Sequence, residues 1–138
     1  MPGNFDAPSH VAIRTVAAQT RWADRVPDVL RGGDAVLDPV SYARLLTGLG
    51  CAVDAWETTY LHLLPVTGPE HPVLGWVKGT ALRPVREILD DADWTAFTSA
   101  LTSELDAVYP VQSGQVYFPF RRIFAVAAVG GNLARAEA

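Results

Sequence analysis

The chain has 138 residues, of which 49% are hydrophobic and 19% are charged, a composition that suits one folded domain and is too apolar for a disordered chain. Its net charge of −4 and pI near 5.2 exclude the basic surface that nucleic acids require, and no apolar run reaches the roughly 20 residues that cross a bilayer. A single cysteine, Cys51, excludes an internal disulfide and is typical of the reducing cytoplasm. We therefore expect a cytoplasmic protein with no nucleic-acid and no membrane partner.

The N-terminal part of the sequence predicts a short extended lead-in and then a helix. Residues 1–5 read like the exit of a buried strand, and a helix is expected over 7–24. The inward residues of this helix are predicted to include Val11, Ala18 and Trp22. An irregular segment, punctuated by two glycines, should follow over 28–37.

The next stretch predicts a second helix and a long strand. The helix over 38–50 has clear boundaries, because Asp38 suits the N-cap and Gly50 suits the residue after the last turn. Residues 52–63 are rich in β-branched and aromatic side chains and alternate in polarity, a pattern that is typical of a strand.

Helices are predicted over most of 72–109. Two short ones are expected over 72–78 and 81–89. The clearest helix signal follows, with Asp93 as its expected N-cap. Its apolar residues recur at spacings of 3, 4, 4 and 3, namely Trp94, Phe97, Leu101, Leu105 and Val108.

A second strand is predicted over 117–129, and an irregular tail over 130–138. Pro119 places the start of this strand at an edge or a bulge. The expected fold class is α+β, with helices beside a two-stranded antiparallel ribbon. Two strands alone are marginal in water, so we expect the ribbon to be completed from outside these residues, and we expect a homodimer through its exposed strand edge.

Four segments carry a family resemblance: MPGNFDAPSH, GLGCAVDAWETTYLH, WVKGTALRP and FPFRRIFAVA. In this order and at these spacings they resemble the C-terminal half of the trans-aconitate 2-methyltransferase family, whose members are class I methyltransferases that use S-adenosylmethionine. The resemblance implies the C-terminal half of a Rossmann-like α/β domain.

The resemblance also implies a division of the chain. Residues 1–37 would be a helical insertion that covers the substrate, beginning where the fifth strand of the sheet ends. Residues 38–138 would be the C-terminal part of the sheet domain, with 52–63 as its sixth strand and 117–129 as its antiparallel seventh. Helices within 72–109 would be inserted between these two strands.

The cofactor site that the resemblance implies has no counterpart in the sequence. The family's glycine-rich loop follows a strand and precedes a helix. Gly48-Leu49-Gly50 has the letters but lies at a helix end before a strand. We therefore expect S-adenosylmethionine to bind the parent protein and not this chain, which should be inactive alone.

The resemblance implies methyl transfer to one carboxylate of trans-aconitate or a similar small polycarboxylate. A carboxylate is already ionised at neutral pH, so no general base and no catalytic residue is assigned. Paired donors of arginine suit the remaining carboxylates. The substrate-binding candidates are Arg83, Arg122, His10, Asn4 and Tyr60.

Each candidate also has a plainer interpretation. Arg83 would begin a short helix, where it is either a carboxylate ligand or a solvated arginine. Arg122 is either a ligand or a structural arginine paired with an acid, and Arg121 points to the other face of the strand. A histidine in a first helical turn, such as His10, is usually ordinary surface, and a tyrosine on a strand face, such as Tyr60, usually has a packing role. The cysteine and the histidines have no recognised metal spacing, so no metal is predicted.

Two other functions remain open. The chain is compatible with a free-standing, non-enzymatic helical module that dimerises or binds a small acid. It is also compatible with part of a methyltransferase of the same fold that acts on another small acid.

Overall fold

Residues 1–130 are described by a computed structural model, and they form helices and one two-stranded antiparallel ribbon, as predicted. In chain order the elements are α1 (Pro8–Ala17), a 3-10 helix (Pro27–Val29), α2 (Pro39–Gly48), β1 (Cys51–Pro65), α3 (Pro72–Lys78), α4 (Arg83–Ile88), α5 (Asp91–Val108) and β2 (Gln115–Val129). None of these helices is long and apolar enough to cross a membrane. The predicted tail lies outside the described residues except for Gly130.

The ribbon is long and its register is continuous. Cys51 lies opposite Val129 at one end, and Pro65 lies opposite Gln115 at the other. Pro119 lies opposite Leu61, and the register has no bulge there. Of the two positions predicted for this proline, an edge or a bulge, the structure shows the edge. β2 begins two residues before the predicted start.

The N-terminal segment, residues 1–4, lies along the second edge of β2. Pro2 forms an antiparallel bridge with Arg122, and the amide of Gly3 donates to the carbonyl of Arg121 at 3.0 Å. A Cβ on Gly3 would lie 2.8 Å from Cδ1 of the fully buried Ile123, so only glycine fits there without a shift. β2 is therefore flanked by β1 on one side and partly by the N-terminal segment on the other.

The core lies between α1, α3, α5 and the first half of β2. Phe97, Leu101 and Leu105 of α5 are fully buried, which confirms the middle of the inward face predicted for this helix, whereas Val108 at its end is exposed. Trp22 packs edge-on against Phe97 at a centroid distance of 5.2 Å, and Phe118 packs in the same way against Tyr109 at 5.4 Å. Edge-to-face pairs of this kind add to the apolar burial of the rings.

The first helix is shorter than predicted. It ends at Ala17, and residues 18–26 continue as turns. Val11 is 47% exposed, and the buried positions are Ser9, Ala12, Ile13, Val16 and Ala17. The helical pattern of the sequence continues beyond Ala17, but residues 18–26 turn and bring Trp22 onto Phe97. Tertiary packing here outweighs the weak local preference for helix.

The N-cap of α5 also differs from the predicted Asp93. Asp90 is the N-cap, and its carboxylate accepts a hydrogen bond from the amide of Asp93 at 2.7 Å. Asp93 lies inside the helix and forms ion pairs with Arg21 and Arg25. Because three aspartates begin this segment, the sequence alone does not distinguish the capping one.

The end of the ribbon beside α2 has an uncovered apolar face. Trp56 is stacked on Phe124 with ring centroids 5.1 Å apart, and Trp56 and Val126 are 42% and 48% exposed. α2 packs on the opposite face and has no fully buried residue. The apolar residues in the second half of β2 are thus partly exposed among residues 1–130.

Candidate functional site

A cavity of about 370 Å³ lies between the N-terminal segment, α1, the segment after the 3-10 helix, the α3–α4 region and β2. Its volume is within the range of small-molecule sites, roughly 300–1,000 Å³. The residues that line it are Pro2, Asn4, Phe5, His10, Ile13, Arg14, Val29, Leu30, Arg31, Trp76, Val77, Thr80, Ala81, Pro84, Phe118 and Phe120. The described ranges thus contribute two arginines to this lining and no aspartate or glutamate.

Asn4 lines the cavity and carries a buried donor beside it. The residue is 5% exposed, and its Oδ1 accepts a hydrogen bond from the amide of Arg121 at 2.6 Å. This bond fixes the orientation of the side-chain amide. Its Nδ2 is buried and has no hydrogen-bond partner among residues 1–130. A buried donor without a partner costs roughly 1–3 kcal/mol, so a bound acceptor would recover this free energy.

α1 presents His10 and Arg14, one turn apart, to the same cavity. The guanidinium of Arg14 donates to the carbonyl of Phe5 at 2.7 Å, and no other hydrogen bond from this group is found in the described part of the chain. The ring of His10 lies edge-on to Phe5 at 5.3 Å, and its Nδ1 is buried without a partner in the same residues.

Burial lowers the pKa of His10 from its usual value near 6.5. The positive charge of Arg14 lowers the pKa further, and the carboxylate of Asp6 partly opposes both effects. His10 is therefore largely neutral at neutral pH in the free chain.

Arg31 reaches the cavity from the segment that follows the 3-10 helix. Packing of Trp22 on α5 holds the chain just before this segment, and so do the ion pairs of Arg21 and Arg25 with Asp93. The residues that link α1 to α2 are thus fastened to α5 at one point and form part of the cavity wall at another.

Aromatic side chains form another part of the cavity lining. Trp76 lies 5.6 Å from Phe118 and 5.7 Å from Phe120, measured between ring centroids, and His62 packs behind them on Trp76 at 4.9 Å. The lining of the cavity therefore combines two arginines and an amide with many apolar and aromatic side chains. This arrangement suits a small anion with a carbon skeleton.

Asn4 and His10 are the two predicted site residues that line this cavity, whereas Arg83 does not. Arg83 is exposed at the start of α4, and its neighbours Ala81 and Pro84 line the cavity instead. Because α4 is only six residues long, its dipole gives little support to anion binding at Arg83.

Arg122 and Tyr60 also lie outside the lining of the cavity. The guanidinium of Arg122 lies over the rings of Tyr60 and Phe120 at 5.8 and 5.7 Å, and Phe120 is the residue that connects them to the cavity wall. The arginine that pairs with an acid is Arg121, which donates to Glu57 at 2.6 and 2.9 Å. The structural role considered for Arg122 thus belongs to its neighbour.

Sequence reasoning missed Arg14 and Arg31. Arg14 carried a signal, because it lies four residues after His10 and hence on the same face of the helix. Arg31 lies in a segment without periodicity, and nothing local in the sequence distinguishes it. Among the described residues there is no cluster of side chains that could hold a metal ion.

Comparisons with known proteins place the chain beside one group of enzymes. No protein-family model matches it. It is 52% identical over 132 residues to the trans-aconitate 2-methyltransferase of Mycobacterium sp. (strain KMS), covering 94% of this chain and 51% of the relative. The corresponding enzyme of Rhodococcus jostii (strain RHA1) is 53% identical, covering 94% of this chain and 50% of the relative.

The enzyme of the same name in Streptomyces avermitilis is 54% identical over 127 residues, covering 92% of this chain and 46% of the relative. The resemblance drawn from the sequence is confirmed, and the chain is homologous to part of trans-aconitate 2-methyltransferases. It spans about half the length of the curated relatives it matches.

Proposed function

We propose that this chain, a homologue of trans-aconitate 2-methyltransferases, is the acid-binding part of a carboxyl O-methyltransferase that acts on trans-aconitate or a similar small polycarboxylate. The observation that carries the proposal is the cavity, which combines Arg14, Arg31 and the free amide of Asn4 and has no acidic side chain in its described lining. Two positive charges and a donor without a partner in one cavity favour a polycarboxylate over a neutral ligand.

Arg14, Arg31 and Asn4 would hold the carboxylates that do not react. Their donors come from three separate segments, so together they fix the orientation of a small acid as well as its affinity. The aromatic wall formed by Trp76, Phe118 and Phe120 would contact the carbon skeleton and exclude water. The carboxylate that accepts the methyl group is already ionised, so the side chains need only position it.

The relatives' names imply a methyl donor, which we take to be S-adenosylmethionine. When bound, this cofactor supplies an electrophilic methyl group on a sulfonium. The cavity does not fit it, because Arg14 and Arg31 would repel a sulfonium cation. We therefore expect the cofactor to bind elsewhere in the parent protein and this chain alone to transfer no methyl group.

The position of the N-terminal segment supports the Rossmann-like assignment. β2 lies between residues 1–4 and β1. This order is expected if residues 1–4 are the end of the fifth strand, β2 is the seventh strand and β1 is the sixth strand of one sheet. Residues 1–37 contribute His10, Arg14 and Arg31 to the cavity, which supports their role as a substrate-covering insertion. A cytoplasmic location remains a prediction from composition.

A methyltransferase for another small acid is the remaining alternative within this class. The cavity sets charge and approximate size, and these features do not by themselves select trans-aconitate. The non-enzymatic module is disfavoured, since the relatives above are named as enzymes.

The proposal is tested by calorimetric titration of the chain with trans-aconitate, a dicarboxylate and a monocarboxylate. We expect affinity to fall in that order. Arg14→Gln should weaken trans-aconitate binding about 10- to 100-fold, because a hydrogen bond to a charged group contributes roughly 1.5–3 kcal/mol.

Arg44→Gln is the matched control, since Arg44 is an exposed arginine of α2 outside the cavity. Equal weakening by both substitutions would reduce the effect to net charge and contradict the site. Absence of trans-aconitate binding by the unsubstituted chain would contradict the proposed function.

A further inference from the structure

We propose that His10 is a specificity-determining residue of the cavity, and that it takes up one proton when the acid binds and pairs as an imidazolium with one carboxylate. This inference rests on the proposed function, because it concerns the same cavity. Pairing with His10 makes the site selective for an acid whose carboxylates reach this residue as well as the two arginines.

The geometry around His10 provides the argument. The side chain lines the cavity, and its Nδ1 is buried without a hydrogen-bond partner among residues 1–130. Phe5 fixes the ring from the side at 5.3 Å, and Arg14 lies one turn further along the same helix. Nδ1 therefore has an unfilled hydrogen-bonding position, which a ligand oxygen in the cavity fills if the ring turns toward it.

Two charged residues act on His10, namely Asp6, just before α1, and Arg14 of α1. Arg31 lines the same cavity from the segment after the 3-10 helix. The α3–α4 region and β2 contribute no charged residue to the lining that the structure describes. In the free chain, burial and Arg14 together outweigh Asp6 and hold the pKa of His10 low.

A bound carboxylate reverses this balance. Its negative charge favours the imidazolium, so the pKa of His10 rises on binding. The proton comes from the buffer and forms a new N–H bond on the ring, while the carboxylates of the acid, whose usual pKa is near 4, stay ionised. No other bond forms or breaks.

The direction of the pH dependence follows. Proton uptake occurs between the lowered pKa of free His10 and its raised pKa in the complex. Below that window His10 is charged before binding, and above it His10 stays neutral in the complex. The acid should therefore bind progressively more weakly as pH rises through this window.

The test is calorimetric titration of the chain with trans-aconitate between pH 6 and 8.5, in buffers with different ionisation enthalpies. The dependence of the observed heat on the buffer gives the number of protons taken up. We expect uptake to approach one proton per bound acid within the window for the unsubstituted chain, and to be close to zero for His10→Gln. His62→Gln is the matched control, because His62 packs on Trp76 outside the cavity lining.

The outcomes separate this inference from the proposed function. Binding without proton uptake, or undiminished uptake in His10→Gln, would overturn the role of His10 and leave the acid site in place. No binding at any pH would overturn both. If His10→Gln does not fold, the ring proton of His10 in the unsubstituted chain gives the answer by NMR. Its titration midpoint should rise by about two pH units or more when the acid is present, and an unchanged midpoint would overturn the inference.

Discussion

Arg121 and Arg122 are neighbours in sequence, and they make different contacts because successive residues of a strand point to opposite faces. Arg121 pairs with Glu57, which lies two residues from its cross-strand partner Thr59. Arg122 stacks on Tyr60 and Phe120 and has no ion pair within residues 1–130. The alternation was predictable from the sequence, but which face carries the acid depends on the strand register.

Asp93 is a second residue whose role depends on distant partners. Its carboxylate is 15% exposed and lies between Arg21 and Arg25. The hydrogen bond from Arg25, and then that from Arg21, lowers the pKa of Asp93 below its usual value of 3.8. These contacts fasten the segment after α1, and so the wall that carries Arg31, to α5.

We predict that Asp93→Asn lowers the melting temperature at neutral pH. Because the folded pKa is depressed, the stabilisation is fully present above the unfolded pKa near 3.8 and is lost as pH falls through the folded value. The difference in melting temperature between the two proteins should therefore shrink on acidification. Thermal unfolding measured from pH 7 down to pH 3 checks this.

Asp24→Asn serves as the control for that series, since Asp24 is exposed in the same segment and forms no ion pair in the described chain. A constant difference between wild-type and Asp93→Asn proteins at all pH values would contradict the ion-pair account. So would an equal loss in Asp24→Asn.

The elements differ in how much of their course was visible in the sequence. The long helix α5 and both strands were predictable, because their periodicities persist over many residues. The end of α1 was not, because residues 18–26 turn in order to bring Trp22 against Phe97. Local pattern identified the elements, and long-range packing set their ends.

The outer edge of β1 has no pairing partner among residues 1–130. Leu61 and Leu63 lie next to it on one face of the ribbon and are 57% and 51% exposed. An unpaired edge beside exposed leucines favours association with another strand. This arrangement keeps the homodimer of the sequence analysis as a prediction.

We expect sedimentation equilibrium at micromolar concentration to give a dimer, and Leu61→Lys to shift it toward monomer, because a lysine beside the edge opposes strand addition. Leu45→Lys is the control, since Leu45 is 55% exposed on α2 and does not belong to the strand. A monomeric wild-type chain, or dissociation by both substitutions alike, would count against the edge interface.

At the scale of the whole molecule, the cavity was the least predictable feature. It is assembled from five segments of the chain, and Asn4 and His10 are the two residues singled out from the sequence that line it. Arg83 was favoured by its helix position and Arg122 by its strand face, yet neither position encodes distance to a cavity. The family resemblance implies a small polycarboxylate as the ligand, whereas the placement of Arg14 and Arg31 in the cavity required the three-dimensional arrangement.

The incomplete burial of the ribbon agrees with the length of the relatives. Trp56 and Val126 are exposed on one face, and the chain spans about half of the enzymes it matches. We expect the rest of the parent protein to cover this face and to supply the cofactor site. The cavity, in contrast, has walls from within this chain.

The most direct test of the account is where trans-aconitate binds to this chain, measured by amide NMR during titration of the labelled protein. The largest shifts should fall on the side-chain amide of Asn4 and on the backbone around His10, Arg14 and Arg31. Shifts concentrated at Arg83, Arg122 and Tyr60 with the cavity signals unchanged, or no shift in excess acid, would contradict it.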